Sequence, residues 1–152
     1  MTARIFVDTN VLVYQLDIRE PDKQAQARAW LDRLWSTRSG RISSQVLQEL
    51  YVTLTRKLEP GLEREAAQKI VRALWAWQPV LIDERAFTVA WSVQDKFGLS
   101  WWDSLIVAAA RLAECSHLLT EDLQHDQDFE GLRVINPFKI SPEDWTRSTT
   151  GS

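Results

Sequence analysis

The chain has 152 residues, of which 45% are hydrophobic and 26% are charged, so we expect one globular domain with a real core. The net charge of -3 gives no overall attraction to nucleic acid, although a local basic rim could still bind it. A single cysteine excludes an intramolecular disulfide framework and a cysteine-based zinc site. No signal-peptide pattern or bilayer-length apolar run is present, and we expect a cytoplasmic protein without a membrane contact.

Short apolar runs alternate with longer segments of helical periodicity, which is the pattern of an α/β fold. The predicted strands are residues 4–7, 41–43, 79–83, 117–120 and 133–135. The predicted helices are residues 11–16, 25–35, 45–58, 62–77, 86–97 and 100–114. We assign residues 1–145 to a single domain and residues 146–152 to a polar, disordered tail.

Helical crossovers between the strands predict a central parallel sheet with right-handed connections. A doubly wound sheet has the order 3-2-1-4-5, and its ligand crevice lies between the first and fourth strands. Asp8 ends the first strand and Asp122 follows the fourth, so we expect both carboxylates to face this crevice. Asp83 ends the third strand at the sheet edge, where we expect it only to cap the next helix.

Two further carboxylates, Glu49 and Asp103, belong to helices that are predicted to begin at the same rim. Each also has a simpler interpretation. Asp103 completes a capping-box pattern with Ser100, and Glu49 lies on the flank of an apolar helix stripe, where solvated residues are common. Asp8 could also be only an N-cap. Capping and metal coordination do not exclude each other, so both interpretations stay open.

Three or four carboxylates around one crevice repel each other, and some would be protonated at neutral pH without a compensating charge. A hard divalent cation removes this conflict, because Mg²⁺ prefers oxygen ligands and needs only a few carboxylates. No histidine is required. His117 begins a strand and His125 lies in an acidic loop, so we interpret both as structural or exposed. Cys115 is interpreted as a packing residue.

Five motifs occur in order along the chain: IFVDTNVL at 5–12, SQVLQE at 44–49, LSWWDSLIVAAA at 99–110, LLTEDL at 118–123 and VINPF at 134–138. Each motif alone is weak, but the set resembles the PIN-domain ribonucleases over nearly the whole chain. The compact size further resembles the VapC-type toxins of toxin–antitoxin pairs.

The resemblance implies a three-layer α/β/α domain that hydrolyses RNA with Mg²⁺ or Mn²⁺. The implied acidic site consists of Asp8, Glu49, Asp103 and Asp122, with Asn10 and Thr120 as polar support. The three aspartates would hold the ion, and Glu49 would orient the attacking water or a second ion. The implied partners are a small cognate antitoxin, which neutralises the toxin, and a second copy of the chain in a homodimer.

Other residues are secondary candidates for the site or its surroundings. The acidic loop also offers Glu121, Asp126 and Asp128. Candidate phosphate contacts are Arg19, Lys23, Arg38, Arg41, Arg56 and Lys57. The helices that carry Trp30, Trp35, Trp75 and Trp77 provide more large apolar surface than one small core needs, which indicates a protein interface.

Three other functions are weighed against the nuclease. A receiver-like signalling module needs a lysine after the last strand, where Asn136 stands. A haloacid-dehalogenase-like phosphatase needs a second aspartate where Asn10 stands. A non-catalytic PIN-fold binding protein would use the acidic residues only as helix caps.

Overall fold

The computed structural model describes residues 3–150, which form a three-layer α/β/α fold around a mostly parallel five-stranded sheet. The sheet has the order β2-β1-β3-β5-β4. Its strands are β1 Ile5–Val7, β2 Gly40–Arg41, β3 His117–Leu119, β4 Asp128–Phe129 and β5 Leu132–Ile135. The described helices are α1 Thr9–Tyr14, α2 Pro21–Thr37, α3 Ser44–Val52, α4 Arg64–Ala73, α5 Glu84–Phe97, α6 Trp101–Leu112 and α7 Pro142–Thr150. None of these helices is long and apolar enough to cross a membrane.

Strand β1 is the centre of the sheet and pairs in parallel with both β2 and β3. In this register Phe6 lies opposite Arg41 on one side and Leu118 on the other. All three residues of β1 are buried. An uninterrupted apolar strand is what a parallel sheet covered on both faces requires. The chain therefore leaves β1 at a fixed point on the carboxyl-end rim, immediately before Asp8.

The predicted strand order is confirmed, but residues 79–83 contribute only one bridge, between Val80 and Ser43. This segment does lie beside the second strand, since Val80 N donates to Ile42 O at 3.0 Å. The ladder stops there because the Ser44 hydroxyl accepts from Ile82 N at 3.1 Å. Pro79 also lacks an N–H group and suits a sheet edge.

The hairpin strand β4 was not predicted from the sequence. It pairs antiparallel with β5, with Phe129 opposite Leu132. The turn between them is held by Asp128 Oδ1, which accepts from Gly131 N at 2.8 Å, and Gly131 has a φ of 100°. A two-residue strand is too short to produce a recognisable alternation of apolar and polar residues.

Two predicted helices end in altered geometry. After α3 the chain continues as a π-helical turn at Thr53–Lys57, where the Thr55 hydroxyl donates to Tyr51 O at 2.8 Å. After α4 it tightens into a 3₁₀ turn at Leu74–Trp77. Apolar periodicity continues through both turns, so the sequence predicted one helix in each case.

The segment at 146–150, expected to be disordered, is instead the end of α7; Gly151 and Ser152 lie outside the described residues. The Ser141 hydroxyl caps this helix by accepting from Asp144 N at 3.1 Å. Trp145 anchors it, with ring centroids 5.8 Å from Trp30 and 5.1 Å from His117. The polar composition of residues 146–152 predicted disorder, because a single anchoring residue such as Trp145 is weak evidence in a sequence for a packed helix.

The four tryptophans that were expected at an interface divide into two groups. Trp30 and Trp77 are among the largest fully or nearly fully buried side chains, and Trp30 Nε1 donates to Ile140 O at 3.0 Å. Trp35 and Trp75 are 41% and 56% exposed. The first pair therefore belongs to the core, and only the second pair is available to a partner.

Gly40 is tightly packed against Trp77. A Cβ atom at residue 40 would lie 2.7 Å from Trp77 Cζ2. We expect Gly40→Ala to lower the free energy of unfolding by about 1–3 kcal/mol, as overpacking of a core does. Urea denaturation measures this loss.

Trp77→Phe supplies the control, because it removes the indole atoms that the new Cβ would meet. The Gly40→Ala penalty should be clearly smaller in the Trp77→Phe background. An equal penalty in both backgrounds would show that the indole is not its cause.

Candidate active site

Asp8 stands where β1 meets α1, and its two carboxylate oxygens have different partners. Oδ1 accepts from Thr9 N at 2.7 Å, so Asp8 does cap α1 as the simpler interpretation required. Oδ2 accepts from the Thr120 hydroxyl at 2.8 Å. The side chain is almost completely buried. Capping therefore uses only one oxygen, and the other faces the end of β3.

Asn10 and Thr120 connect Asp8 to Asp122. Asn10 Nδ2 lies 3.4 Å from Asp8 Oδ2, 3.2 Å from Thr120 Oγ1 and 3.0 Å from Asp122 Oδ2. Thr120 Oγ1 also accepts from Asp122 N at 3.1 Å. The structure therefore brings Asp8 and Asp122 together, as predicted. The predicted supporting residues, Asn10 and Thr120, lie between them.

Glu49 reaches the same cluster from α3 through Thr9 and is also held by Gln45. Neither of these two residues was predicted as part of the site. Glu49 Oε2 accepts from the Thr9 hydroxyl at 2.9 Å, and its Oε1 accepts from Gln45 Nε2 at 2.8 Å. Gln45 lies one turn before Glu49 on the same helix face, a spacing that could have identified it. Both oxygens of Glu49 are thus fixed, which a merely solvated side chain would not show.

Asp103 is placed by the start of α6. The Ser100 hydroxyl accepts from Asp103 N at 3.1 Å, as in one half of the predicted capping box. Gln45 Nε2 also lies 3.5 Å from Trp102 O, which ties the start of α3 to the start of α6. Asp103 interacts electrostatically with Asp122 and Glu49, so it belongs to the acidic cluster as well as to the cap.

The electrostatics of the cluster are most visible at Asp8. Burial raises the pKa of Asp8 to about 7, hydrogen bonds from Thr120 and Thr9 oppose this, and the charges of Asp122 and Glu49 add to it. Burial is also the main cause that raises the pKa of Asp103, again with contributions from Asp122 and Glu49. Such perturbed carboxylates are typical of functional sites.

The donor chemistry of the cluster can be compared with the needs of a metal ion. Among residues 3–150, no group of three or more acidic, histidine or cysteine side chains is placed so that it could hold a metal ion as it stands. Two buried amide oxygens in the cluster, Asn10 Oδ1 and Gln45 Oε1, have no hydrogen-bond partner in the described chain. An open, all-oxygen arrangement fits a hydrated ion such as Mg²⁺, which keeps several waters and takes few carboxylates.

The secondary acidic candidates do not join the cluster. Glu121 turns toward α1 and α2, where it accepts from Tyr14 and Lys23. Asp126 is largely exposed, and Asp128 holds the turn before Gly131. Asp83 caps α5 by accepting from Ala86 N at 3.1 Å, as expected.

The histidines and the cysteine have structural surroundings. Burial lowers the pKa of His117, whose ring meets Trp145 edge to face. His125 Nδ1 accepts from Asn136 N at 3.0 Å. Burial raises the pKa of Cys115 to about 12, so its thiol stays protonated. These contacts are of the kind expected for structural histidines and a packing cysteine.

One candidate phosphate contact lies next to the acidic cluster. Lys57 lines a cavity of about 380 Å³ together with Thr9, Glu49 and neighbouring residues of α3. In contrast, Arg19 is paired with Asp17, and Arg41 donates to the main-chain oxygens of Arg38 and Gly40. Lys57 is therefore the basic side chain best placed to meet an anion beside Glu49.

Comparison with known proteins adds the family. Residues 5–129 match the PIN domain. No curated protein matches the chain. A chain of a toxin–antitoxin complex from Klebsiella pneumoniae is 20% identical, with a TM-score of 0.65 over 91% of this chain and 100% of that one. A chain of VapBC2 from Rickettsia felis, bound to a DNA fragment from its promoter, is also 20% identical, with a TM-score of 0.58 over 87% and 97%.

The two structures share the fold at low identity, and the family match spans most of the sequence and every residue of the acidic cluster. The chain belongs to the PIN-domain family.

Proposed function

We propose that this chain is a metal-dependent endoribonuclease and acts as a toxin that a small antitoxin protein neutralises. The observation that carries the proposal is the hydrogen-bonded group of Asp8, Asn10, Thr120 and Asp122 at the carboxyl ends of β1 and β3. Glu49 and Asp103 stand within electrostatic reach of it. Membership of the PIN family supports a nuclease, and the toxin–antitoxin complexes with the same fold support the toxin role.

Asp8, Asp103 and Asp122 would hold Mg²⁺ or Mn²⁺. When bound, the ion offsets the charge that develops on the phosphate oxygens and lowers the pKa of water. Asn10 keeps the carboxylates of Asp8 and Asp122 in a fixed relation through its Nδ2 group. Thr120 holds the second oxygen of Asp8 through its hydroxyl group. Preorganised ligands of this kind need no rearrangement during the reaction.

Glu49 would orient the attacking water, because Thr9 and Gln45 fix both of its oxygens. Water attacks phosphorus and loses a proton, the bond to the leaving ribose oxygen breaks, and that oxygen takes up a proton. Lys57, in the cavity beside Glu49, would contact an RNA phosphate.

The contacts of the cluster disfavour the other functions. Asn136 Oδ1 accepts from Phe138 N at 2.9 Å, so this residue serves a turn and cannot replace the lysine of a receiver-like module. Asn10 donates to both aspartates, whereas a second aspartate there, as in a phosphatase pair, would add charge to an already repelling group. A binding protein without catalysis would not need Glu49 to be fixed at both oxygens.

Asp8→Asn should abolish RNA cleavage and weaken Mg²⁺ binding. A metal at about 100 times its dissociation constant adds roughly 2.7 kcal/mol of stability, so the wild type should melt higher in saturating Mg²⁺ than in EDTA. The variant should show a much smaller difference. Thermal melting with and without Mg²⁺ and cleavage of total cellular RNA measure the two effects.

Asp83→Asn is the matched control, because Asp83 is also an N-cap aspartate but lies outside the cluster. It should cleave RNA within a few-fold of wild type, since asparagine caps a helix as well as aspartate. If Asp8→Asn cleaved RNA and gained as much stability from Mg²⁺ as the wild type does, Asp8 would be only a helix cap.

The raised pKa of Asp8, caused chiefly by burial, predicts how stability depends on pH in EDTA. The native carboxyl keeps its proton up to about pH 7, whereas the unfolded one loses it near its ordinary value of 3.8. Between these values the native state binds more protons, so its stability falls as pH rises. The Asp8 contribution is at most roughly 1.4 kcal/mol per pH unit.

Asp8→Asn removes this titration. Urea denaturation from pH 4 to 7.5 should therefore show Asp8→Asn gaining stability relative to wild type as pH increases. Parallel pH profiles for the two proteins would contradict a buried, repelled Asp8.

We also propose that the chain forms a homodimer. Exposed aromatic side chains gather on α5 and at the start of α6, where Trp91 lies 6.0 Å from Phe87 and 6.2 Å from Trp101 between ring centroids. Trp91 is 53% exposed. Trp75, in the 3₁₀ turn after α4, is 56% exposed and has no ring partner in the described chain. A contiguous aromatic surface is more costly to leave in water than a single exposed ring.

Light scattering at micromolar concentration should give twice the chain mass of 17.6 kDa. Trp91→Gln should shift the protein toward monomer, and Trp75→Gln should not. Adding the protein encoded by the adjoining gene should increase the mass further and suppress cleavage. A stable monomer that this protein leaves unchanged would contradict both proposed partners.

A further inference from the structure

A second group of polar side chains adjoins the acidic cluster through Glu121 and is used by none of the steps above. Tyr14 at the end of α1, Lys23 near the start of α2 and Glu121 in the loop after β3 contact one another. The Tyr14 hydroxyl donates to Glu121 Oε1 at 2.6 Å, and Lys23 Nζ donates to Glu121 Oε2 at 3.0 Å and to the Tyr14 oxygen at 3.3 Å. Both carboxylate oxygens of Glu121 are therefore occupied.

Aromatic packing fixes the two donors of this group. Lys23 Nζ lies 4.8 Å from the centroid of the Tyr14 ring and 5.2 Å from that of Phe138, distances that suit a cation–π contact. The rings of Tyr14 and Phe138 meet edge to face at 5.1 Å. The group is thus a built structure, joining α1, α2 and the segment after β5.

The ionisation of the donors is consistent with this arrangement. Burial and the bond to Glu121 raise the pKa of Tyr14, so its hydroxyl stays protonated and donates. The bond to Glu121 raises the pKa of Lys23, so the ammonium group stays charged.

The position of Glu121 in the chain connects this group to the acidic cluster. Thr120 and Asp122, its two neighbours, both belong to the acidic cluster. The main chain before Glu121 is held at Thr120 N, which donates to Ile135 O at 3.0 Å, and the main chain after it is held at Asp122 N by Thr120 Oγ1. The Glu121 side chain adds a further attachment, to Tyr14 of α1 and Lys23 of α2.

We propose that Tyr14, Lys23 and Glu121 are positioning residues, which hold the loop so that Asp122 and Thr120 meet Asp8 in the geometry that binds the metal. This inference rests on the proposed metal-dependent function and adds the residues that set its affinity. Supporting groups behind metal ligands typically change metal affinity by roughly 10-fold or more when removed.

Tyr14→Phe is the decisive variant, because it removes one hydroxyl without changing charge or the ring contact with Phe138. Tyr51→Phe is the matched control, since the hydroxyl of this partly buried tyrosine makes no hydrogen bond to residues 3–150. Isothermal titration with Mn²⁺ alone should show roughly 10-fold weaker binding for Tyr14→Phe and wild-type binding for Tyr51→Phe.

Lys23→Met tests the same inference, because its electrostatic effect on metal binding is opposite to the effect expected from lost positioning. Loss of the ammonium leaves Glu121 uncompensated, and the added negative field alone would tighten Mn²⁺ binding. Positioning predicts weaker binding instead, with recovery in Lys23→Arg. Lys96→Met is its control, because Lys96 also pairs with a glutamate, Glu130, and lies 5.7 Å from the Phe97 ring, away from the cluster.

The outcomes separate this inference from the proposed function. Weaker Mn²⁺ binding in Tyr14→Phe and Lys23→Met, together with a lower kcat for RNA at unchanged KM, supports positioning. Wild-type Mn²⁺ binding in Tyr14→Phe overturns it, even if the melting temperature falls. Unchanged Mn²⁺ binding in Asp8→Asn, with no cleavage by the wild type, would instead overturn the metal-dependent function itself.

Discussion

The burial of a carboxylate at Asp8 is the constraint on which the rest of the site depends. A buried carboxylate without compensation is costly, and here two hydrogen bonds, from Thr9 N and the Thr120 hydroxyl, offset part of that cost. The neighbouring charges of Asp122 and Glu49 work in the opposite direction. The balance raises the pKa of Asp8 to about 7, and a cation bound at its carboxylate would remove the same penalty.

The sheet register explains why Asp8 and Thr120 meet. Val7 and Leu119 are paired residues of adjacent parallel strands, and Asp8 N donates to Leu119 O at 3.0 Å. The next residue along each strand is then Asp8 in one case and Thr120 in the other. A fixed register of two buried strands thus does the positioning that a flexible loop could not do, in keeping with sites supported by rigid elements.

The sequence was sufficient to predict the strand order and to place Asp8 and Asp122 at one crevice, because strand ends are strongly marked by a change from apolar to polar residues. The inclusion of Glu49 and Asp103 rested on the predicted helix starts and on the family resemblance. Asp83 was correctly separated from them by topology alone. The contact of Glu49 with Thr9 was missed, since it depends on how α3 is rotated against α1, which periodicity does not specify. The contact with Gln45 follows from the i, i+4 spacing on α3 and was overlooked. The orientation of the Glu121 side chain could not be predicted from the sequence either. It depends on Tyr14 and Lys23, which are about 100 residues away in the chain.

The π-helical turn at Thr53–Lys57 has a consequence for how the chain can vary in length. Such a turn contains one residue more than the α-helical turn it replaces. Removing one residue there would restore a regular α-helical turn, and the residues that follow would keep their directions about the axis, as would Gln45 and Glu49 before the turn. The turn can therefore absorb a one-residue difference in chain length while Glu49 before it and Leu58 after it keep their surroundings.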